Sequence, residues 1–364
     1  MKGTLKIITI LFAVALFAVP SAAAFSSSAE DDKPAVDPNA FVSYYAQLDA
    51  NGKAVYDALN SAEPDLTTLK IEFPIKITAK ADDPETAKEF VYKAAKKTVD
   101  DAFVALRLSS PRAYLGWDPT SVVPIQYGVD VSGNTATALY ATLNISYSSY
   151  PVDPKTGVFQ GIQKMLDDLD AAVEKYTVKG TTDYEKVSNI NSYLINLVTY
   201  DPNYGKRDDS GKPVDSRYNH DAYGALVSPH LAVCDGYSKA FVLLCEKAGV
   251  ESVVGLGTGM PSGESHAWNY VKVDGKWYGI DVTWNDTNDN AYFLKGKEFF
   301  ATHLPGIYID LGYPTDPFQI PALNSTSYDT DQRAWYLDYA WVLAIAIAGV
   351  IVSALYIHSR RGKP

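Results

Sequence analysis

Three residues in this chain have the types needed for nucleophilic chemistry at a carbonyl: Cys234, His266 and Asp281. A thiol is a modest nucleophile until it loses its proton. A nearby imidazole can take that proton and later return it to a leaving group. A carboxylate behind the imidazole holds its tautomer and stabilises its cationic form. The chemistry this set implies is acyl transfer. Taken singly, each has a blander reading: an incidental cysteine at a helix start, a half-buried histidine, a carboxylate capping a strand end.

The elements around them bring the three together. From Asp235 to Gly249 the sequence reads DGYSKAFVLLCEKAG. Tyr237, Phe241, Leu244 and Ala248 recur at helical spacing, and Gly249 is a helix stop. Cys234 therefore opens a helix, where unpaired N–H groups and the positive dipole end favour an anionic sulfur. Cys245 lies on the same helix, about 16 Å further along at 1.5 Å rise per residue. A disulfide needs Cα atoms within about 7 Å, so both thiols are expected to be free. Cys245 then reads as a small core hydrophobe.

Downstream, residues 266–284 read HAWNYVKVDGKWYGIDVTW. Asp274-Gly275 predicts a two-residue hairpin turn between β-rich flanks. That turn pairs Val273 with Lys276, Trp268 with Asp281, and His266 with Thr283. Side chains alternate faces along a strand, so His266, Trp268, Asp281 and Thr283 share one face. His266 and Asp281 become diagonal neighbours, with Cβ atoms about 7 Å apart or less. Asn269 points to the other face and reads as structural.

These stretches resemble the transglutaminase-like superfamily of papain-fold thiol enzymes. The resemblance rests on Tyr223-Gly224, VCDGY around Cys234, HAWN at His266, DVTW at Asp281, and YFLKGKEFFATH over 292–303. The helix before them fits too: Thr182 and Glu185 form a capping-box pattern, and Val187, Ile190, Leu194, Leu197 and Val198 form its apolar stripe. The resemblance spans roughly Thr181 to Pro305. It implies an α+β fold with a cysteine helix packed on an antiparallel sheet, and reaction through a thioester or acyl-enzyme. It makes Cys234 the nucleophile, His266 the general base and Asp281 the residue orienting it. It leaves the acceptor open, since members include cross-linkers, peptidases, amidases and inactive proteins. The backbone N–H of Cys234 is one oxyanion donor, and Tyr223 is a candidate for a second. No metal or organic cofactor is implied.

Trp268 and Trp284 either wall a substrate groove or pack the core. His220 has no partners at metal-ligand spacing and reads as a surface-loop histidine; His230 has no clear role, and His303 reads as the cation-friendly end of a helix-like segment over 296–302. The glycine-rich run 255–259 leads to Pro261 rather than into a helix, so it is no phosphate loop. Net charge is −11, without a basic patch, which argues against a nucleic-acid partner. Asn144, Asn285 and Asn324 begin N-x-S/T sequons.

The remaining regions divide as follows. Residues 1–24 combine Lys2 and Lys6, an apolar run and Ala22-Ala23-Ala24, the pattern of a secretory signal. Residues 25–155 read as an N-terminal α+β module with helices over 41–59 and 84–108, a strand over 69–78, and a hairpin joining 129–131 to 135–147. Lys88, Lys93, Lys96 and Lys97 alternate with acids on a solvated helix face. Residues 156–312 form the expected catalytic domain, entered by a helix over 167–176, and 313–336 a flexible linker. Residues 337–357 are the expected transmembrane helix, within which 339–357 is an uncharged apolar run long enough to span a bilayer. Residues 358–364 form a basic tail, which orients it inward. The expectation is an outward-facing, single-pass cell-membrane enzyme acting on a protein, peptide or cell-envelope amide. The rivals are a cysteine peptidase or envelope amidase, and a non-catalytic surface binding module.

Overall fold

The computed structural model describes residues 41–147, 161–216, 218–227, 229–306, 318–330 and 345, with the backbone alone for 118–125. The expected leader lies outside the described residues, as does the expected apolar span apart from residue 345. Among the described residues, no helix is long and apolar enough to cross a membrane.

The N-terminal elements are α1 (Tyr44–Gln47), α2 (Ala50–Asn60), β1 (Thr68–Lys80), α3 (Pro84–Ser109), β2 (Trp117–Ser132) and β3 (Thr135–Tyr147). The helix expected over 41–59 is broken in two. The Asp49 side chain accepts the Gly52 N–H at 2.7 Å, so a new helix starts where the first would have continued. Helix α3 follows its sequence pattern closely. Asp83 caps it, and Ala87, Val91, Ala95, Val99 and Ala102 form a buried stripe. On its outer face Lys88, Lys93 and Lys96 pair with Glu85, Glu89 and Asp100, so this is a solvated face. The strands form an antiparallel sheet in the order β1-β3-β2. Strand β2 runs back well before the expected 129–131, to Trp117. Pro119 and Pro124 disguise it in sequence, and register shifts between Trp117 and Val122 and between Pro124 and Gln126 accommodate it.

The following elements are α4 (Ile162–Lys175), α5 (Asp183–Leu197), β4 (Thr199–Tyr200), α6 (Ala222–Leu226), β5 (Leu231–Ala232), α7 (Cys234–Ala248), β6 (Ser252–Gly259), β7 (Glu264–Val273), β8 (Lys276–Ile280), α8 (Val282–Asn285) and β9 (His303–Pro305). Helix α5 begins with the predicted capping box of Thr182 and Glu185. Helix α7 ends at Gly249 in the left-handed conformation, φ 70°. Strands β6 to β9 form an antiparallel sheet in the order β8-β7-β6-β9, with α7 packed on β6 and β7. The fold is thus mixed α+β with antiparallel sheets, as expected.

Strand β7 is buried on both faces. Trp268 and Tyr270 belong to a core shared with α3 and the N-terminal sheet. Val271 and Val273 belong to a second core with Phe241 and Leu244 of α7. Each such buried side chain is worth about 1.5–3 kcal/mol, so β7 is anchored from two sides. One sequon is inaccessible: Asn285 is buried and its Nδ2 donates to Asn191 Oδ1 at 3.0 Å.

Candidate active site

The site forms where the start of α7 meets the end of the β7–β8 hairpin. Short β4 pairs in parallel with β5, and β5 leads directly into α7. Val233, at the N-cap position, offers no side-chain hydrogen bond to the first turn. The dipole end beside Cys234 therefore has no competing side-chain cap. Gly236 lets the loop before the helix press against it: a Cβ there would lie 2.6 Å from the Asn219 carbonyl oxygen. One turn on, buried Lys239 donates to the His220 carbonyl at 2.6 Å and sits 3.5 Å from Asp221 and 3.8 Å from Asp235. Burial opposes charge on Asp235, but the Lys239 ammonium outweighs it and holds that carboxyl well below the usual range.

His266 is presented by β7. Asn269 on the opposite face is fully buried, and its Nδ2 donates to the Ser238 carbonyl of α7 at 2.9 Å. The strand carrying the imidazole is thereby tied to the helix carrying the thiol. The Asp274-Gly275 turn has both φ angles positive, 50° and 77°, and the predicted register holds from Val273–Lys276 to Asn269–Ile280. There it stops. Asp281 leaves the sheet and caps α8, its Oδ1 accepting the Trp284 N–H at 3.0 Å. Thr283 thus lies on a helix, not on a strand opposite His266 as expected. One Asp281 oxygen thus caps a helix rather than a strand end, while the other, Oδ2, lies 2.7 Å from His266 Nε2.

Burial favours a neutral His266 ring, but its hydrogen bond to Asp281 and the nearness of Cys234 outweigh this and push its pKa up to about 9. Burial likewise opposes charge on Asp281, yet His266 and then a second histidine hold its carboxyl below the usual range. The imidazole is therefore cationic at neutral pH, between a carboxylate and a sulfur. Trp284 stacks on it at 4.6 Å with an interplanar angle of 18°, covering the pair.

Cys234 and His266 open onto a cleft of about 650 Å³, also lined by Tyr200, Tyr204, Glu264 and Trp284. Of the weaker sequence candidates, only Trp284 borders this cleft. Trp268 is 1% exposed and packs in the core. Tyr223 is buried, and its hydroxyl reaches Asp168 at 3.3 Å. Trp268 therefore takes the core-packing alternative, and the Tyr223 side chain, offered as an oxyanion donor, is turned to Asp168 instead of the cleft. His220 is half exposed, 3.6 Å from Asp235, and its ring meets Tyr204 edge-on.

The residue the sequence reading missed is His303. It does not end a helix: residues 296–302 form turns, and His303 opens β9, paired with Gly259. Its Nε2 lies 3.0 Å from the same Asp281 oxygen that binds His266. The only sequence signal was its place in the YFLKGKEFFATH segment. Among the described residues, His266, Asp281 and His303 form the one cluster with metal-ligand potential, their donor atoms lying within 4.8 Å of one another. Both rings are already engaged by the carboxylate through hydrogen bonds.

Residues 170–282 match the family model described as the transglutaminase-like superfamily, a stretch containing Cys234, His266 and Asp281. The chain is 28% identical over 181 residues to kyphoscoliosis peptidase of Mus musculus, an alignment covering 42% of this chain and 26% of that protein. For the Homo sapiens protein of the same name, identity is 29% over 163 residues, covering 40% of this chain and 23% of that protein. The chain thus spans about a quarter of the length of these relatives. A solved structure described as a TGase aligns with 80% of this chain and 70% of its own, at 18% identity and a TM-score of 0.31, too low to carry an argument.

Proposed function

We propose that the stretch matching the transglutaminase-like family model, residues 170–282, performs acyl transfer through Cys234. The observation that carries this reading is the grouping itself: Cys234 at an uncapped helix start and His266 line one cleft, and His266 Nε2 lies 2.7 Å from Asp281. In this reading the Cys234 sulfur attacks a carboxamide or peptide carbonyl. The negative charge that develops on oxygen is met by the Cys234 backbone N–H at the positive end of α7. His266 donates its proton to the departing amine, leaving a thioester on Cys234 and a neutral ring. An amine or water then attacks the thioester while His266 takes its proton, and collapse restores the thiolate–imidazolium pair.

The acceptor distinguishes two reactions. Transfer to an amine is cross-linking or amine incorporation, and transfer to water is peptidase or amidase chemistry. The name of the mouse and human relatives supports testing the hydrolytic outcome alongside the transfer outcome. Amine-incorporation and peptide-cleavage assays, each beside a Cys234→Ala control, separate them. Wild type matching Cys234→Ala across a broad panel sinks both and leaves the non-catalytic binding module. We further propose that the site works outside a cell membrane, a reading supported by the sequence patterns over 1–24 and 337–357. Protease treatment of intact cells tests it: the domain should be digested while a tag placed after Pro364 survives.

A further inference from the structure

Asp281 is asked to do two things that conflict. It must stay ionised to support an imidazolium, yet it is fully buried, where a lone carboxylate is costly. Three donors resolve the conflict. Trp284 N–H occupies Oδ1 at 3.0 Å, while His266 and His303 both address Oδ2, at 2.7 and 3.0 Å. Two of these are already accounted for, one by the cap of α8 and one by the nucleophile's base. The third comes from a histidine beyond the matched 170–282 stretch.

His303 is built for this contact. Its ring stacks face to face on Phe300 at 3.9 Å with an interplanar angle of 4°. Trp268 meets it edge-on at 5.0 Å, Trp284 lies at 4.7 Å and Tyr292 at 5.6 Å. This aromatic enclosure fixes the ring plane and excludes water. Its far nitrogen, Nδ1, lies 3.2 Å from the Thr302 hydroxyl. A neutral ring that accepts from that hydroxyl must carry its proton on Nε2, facing Asp281. Burial disfavours the cationic ring and holds its pKa below the ordinary value despite the neighbouring carboxylate. The strands leave room for the arrangement at Gly259, partner of His303 across the sheet: a Cβ there would press on Trp284 at 3.1 Å and on His266 at 3.2 Å.

We infer that His303 is a positioning residue for the triad, a neutral Nε2–H donor that holds the Asp281 carboxylate aimed at His266. It touches neither the substrate nor Cys234, and it keeps its proton throughout the reaction. The inference rests on the acyl-transfer reading above, and its test is chosen so that the two fail separately.

The readout is the rate at which iodoacetamide alkylates Cys234 in the full-length protein near neutral pH, in a Cys245→Ala background. No knowledge of the substrate is needed. His303→Phe keeps a ring in the aromatic enclosure but removes the donor. His303→Gln offers an N–H near the Nε2 position. The expected result is a fall of about 10- to 100-fold for His303→Phe, the size of a lost hydrogen bond to a charged group. His303→Gln should recover most of it, in protein whose melting temperature shows it folded. Wild-type rate in His303→Phe, or an equal fall in both variants, overturns the inference. If wild type labels no faster than Asp281→Asn, the triad reading fails first and this one with it. If neither His303 variant folds, nitrogen-15 histidine spectra of the wild type decide. A neutral Nε2–H ring at position 303 near neutral pH supports the inference, and a cation or an Nδ1–H ring overturns it.

Discussion

The two ends of α7 carry the same side chain in opposite circumstances. Cys245 is fully buried among apolar neighbours, and desolvation pushes its thiol up, so it stays protonated and inert. Cys234 sits partly exposed at the mouth of a cleft, at a helix start without a side-chain cap, with His266 lining the same cleft. Neither thiol pairs with the other, as their separation along one helix requires. The same residue type meets a cleft near one end of the helix and the core near the other.

The contrast can be tested most severely by removing each thiol in turn. Cys234→Ala should abolish acyl transfer, leaving only background turnover. Cys245→Ala should keep the rate within a few-fold and instead lower unfolding free energy by about 1 kcal/mol, the usual cost of a small core truncation. Activity and denaturant titrations of both proteins check this, and a reversed pattern would invert the assignment.

Next in size is Asp281→Asn. Asparagine is as good a helix cap as aspartate, so α8 should persist. The charge behind His266 is lost, and kcat should fall on the order of 10³–10⁴-fold, the scale seen when a triad carboxylate becomes an amide. Steady-state kinetics with a far-ultraviolet spectrum separates lost chemistry from lost fold.

The pH profile follows from the same pair. Turnover should decline as pH rises through about 9, where His266 loses the proton it gives to the leaving group. Alkylation of Cys234 should not decline with it, since iodoacetamide needs only the thiolate. The linkage to stability has a definite sign. His266 has a raised pKa, so its contribution is complete below the ordinary value of 6.5 and disappears as pH rises through about 9. Asp281 has a lowered pKa, so its contribution is present above 3.8 and is lost as pH falls below that value. Melting temperatures across this range measure both limbs.

The smallest expected effect is at Trp284, which stacks on His266. Trp284→Leu should slow turnover by roughly 2- to 10-fold, corresponding to the 0.5–1.5 kcal/mol of an aromatic stacking pair. A loss as large as that of Asp281→Asn would show that the ring does more than cover the imidazole.

Much of the site was readable in advance because its parts are local. The helix opened by Cys234 shows in the 3.6-residue spacing of Tyr237, Phe241 and Leu244. The hairpin shows in Asp274-Gly275, whose turn type sets the register that brings His266 near Asp281. Where reading failed, the deciding interaction was non-local or irregular. Asp281 leaves the ladder because α8 needs a cap, a competition the alternation of strand residues does not reveal. Strand β2 was missed from Trp117 to Gly128 because prolines hide a bulged strand. Tyr223, offered as a second oxyanion donor, is instead buried with its hydroxyl on Asp168, a contact to a distant helix.

By itself, then, the sequence determined the helix that opens at Cys234, the hairpin that presents His266, the separation of the two thiols, and the fold class. Each is written in short-range periodicity and turn chemistry, which operate within a helix or a hairpin. Only the tertiary structure decided that Asp281 serves a helix cap and two histidines at once, that Asn269 ties the imidazole's strand to the thiol's helix, and that His303 stands behind the carboxylate. These contacts join elements distant along the chain. They arise from the pairing of β9 with β6 and the packing of α7 on β7, which no local pattern encodes.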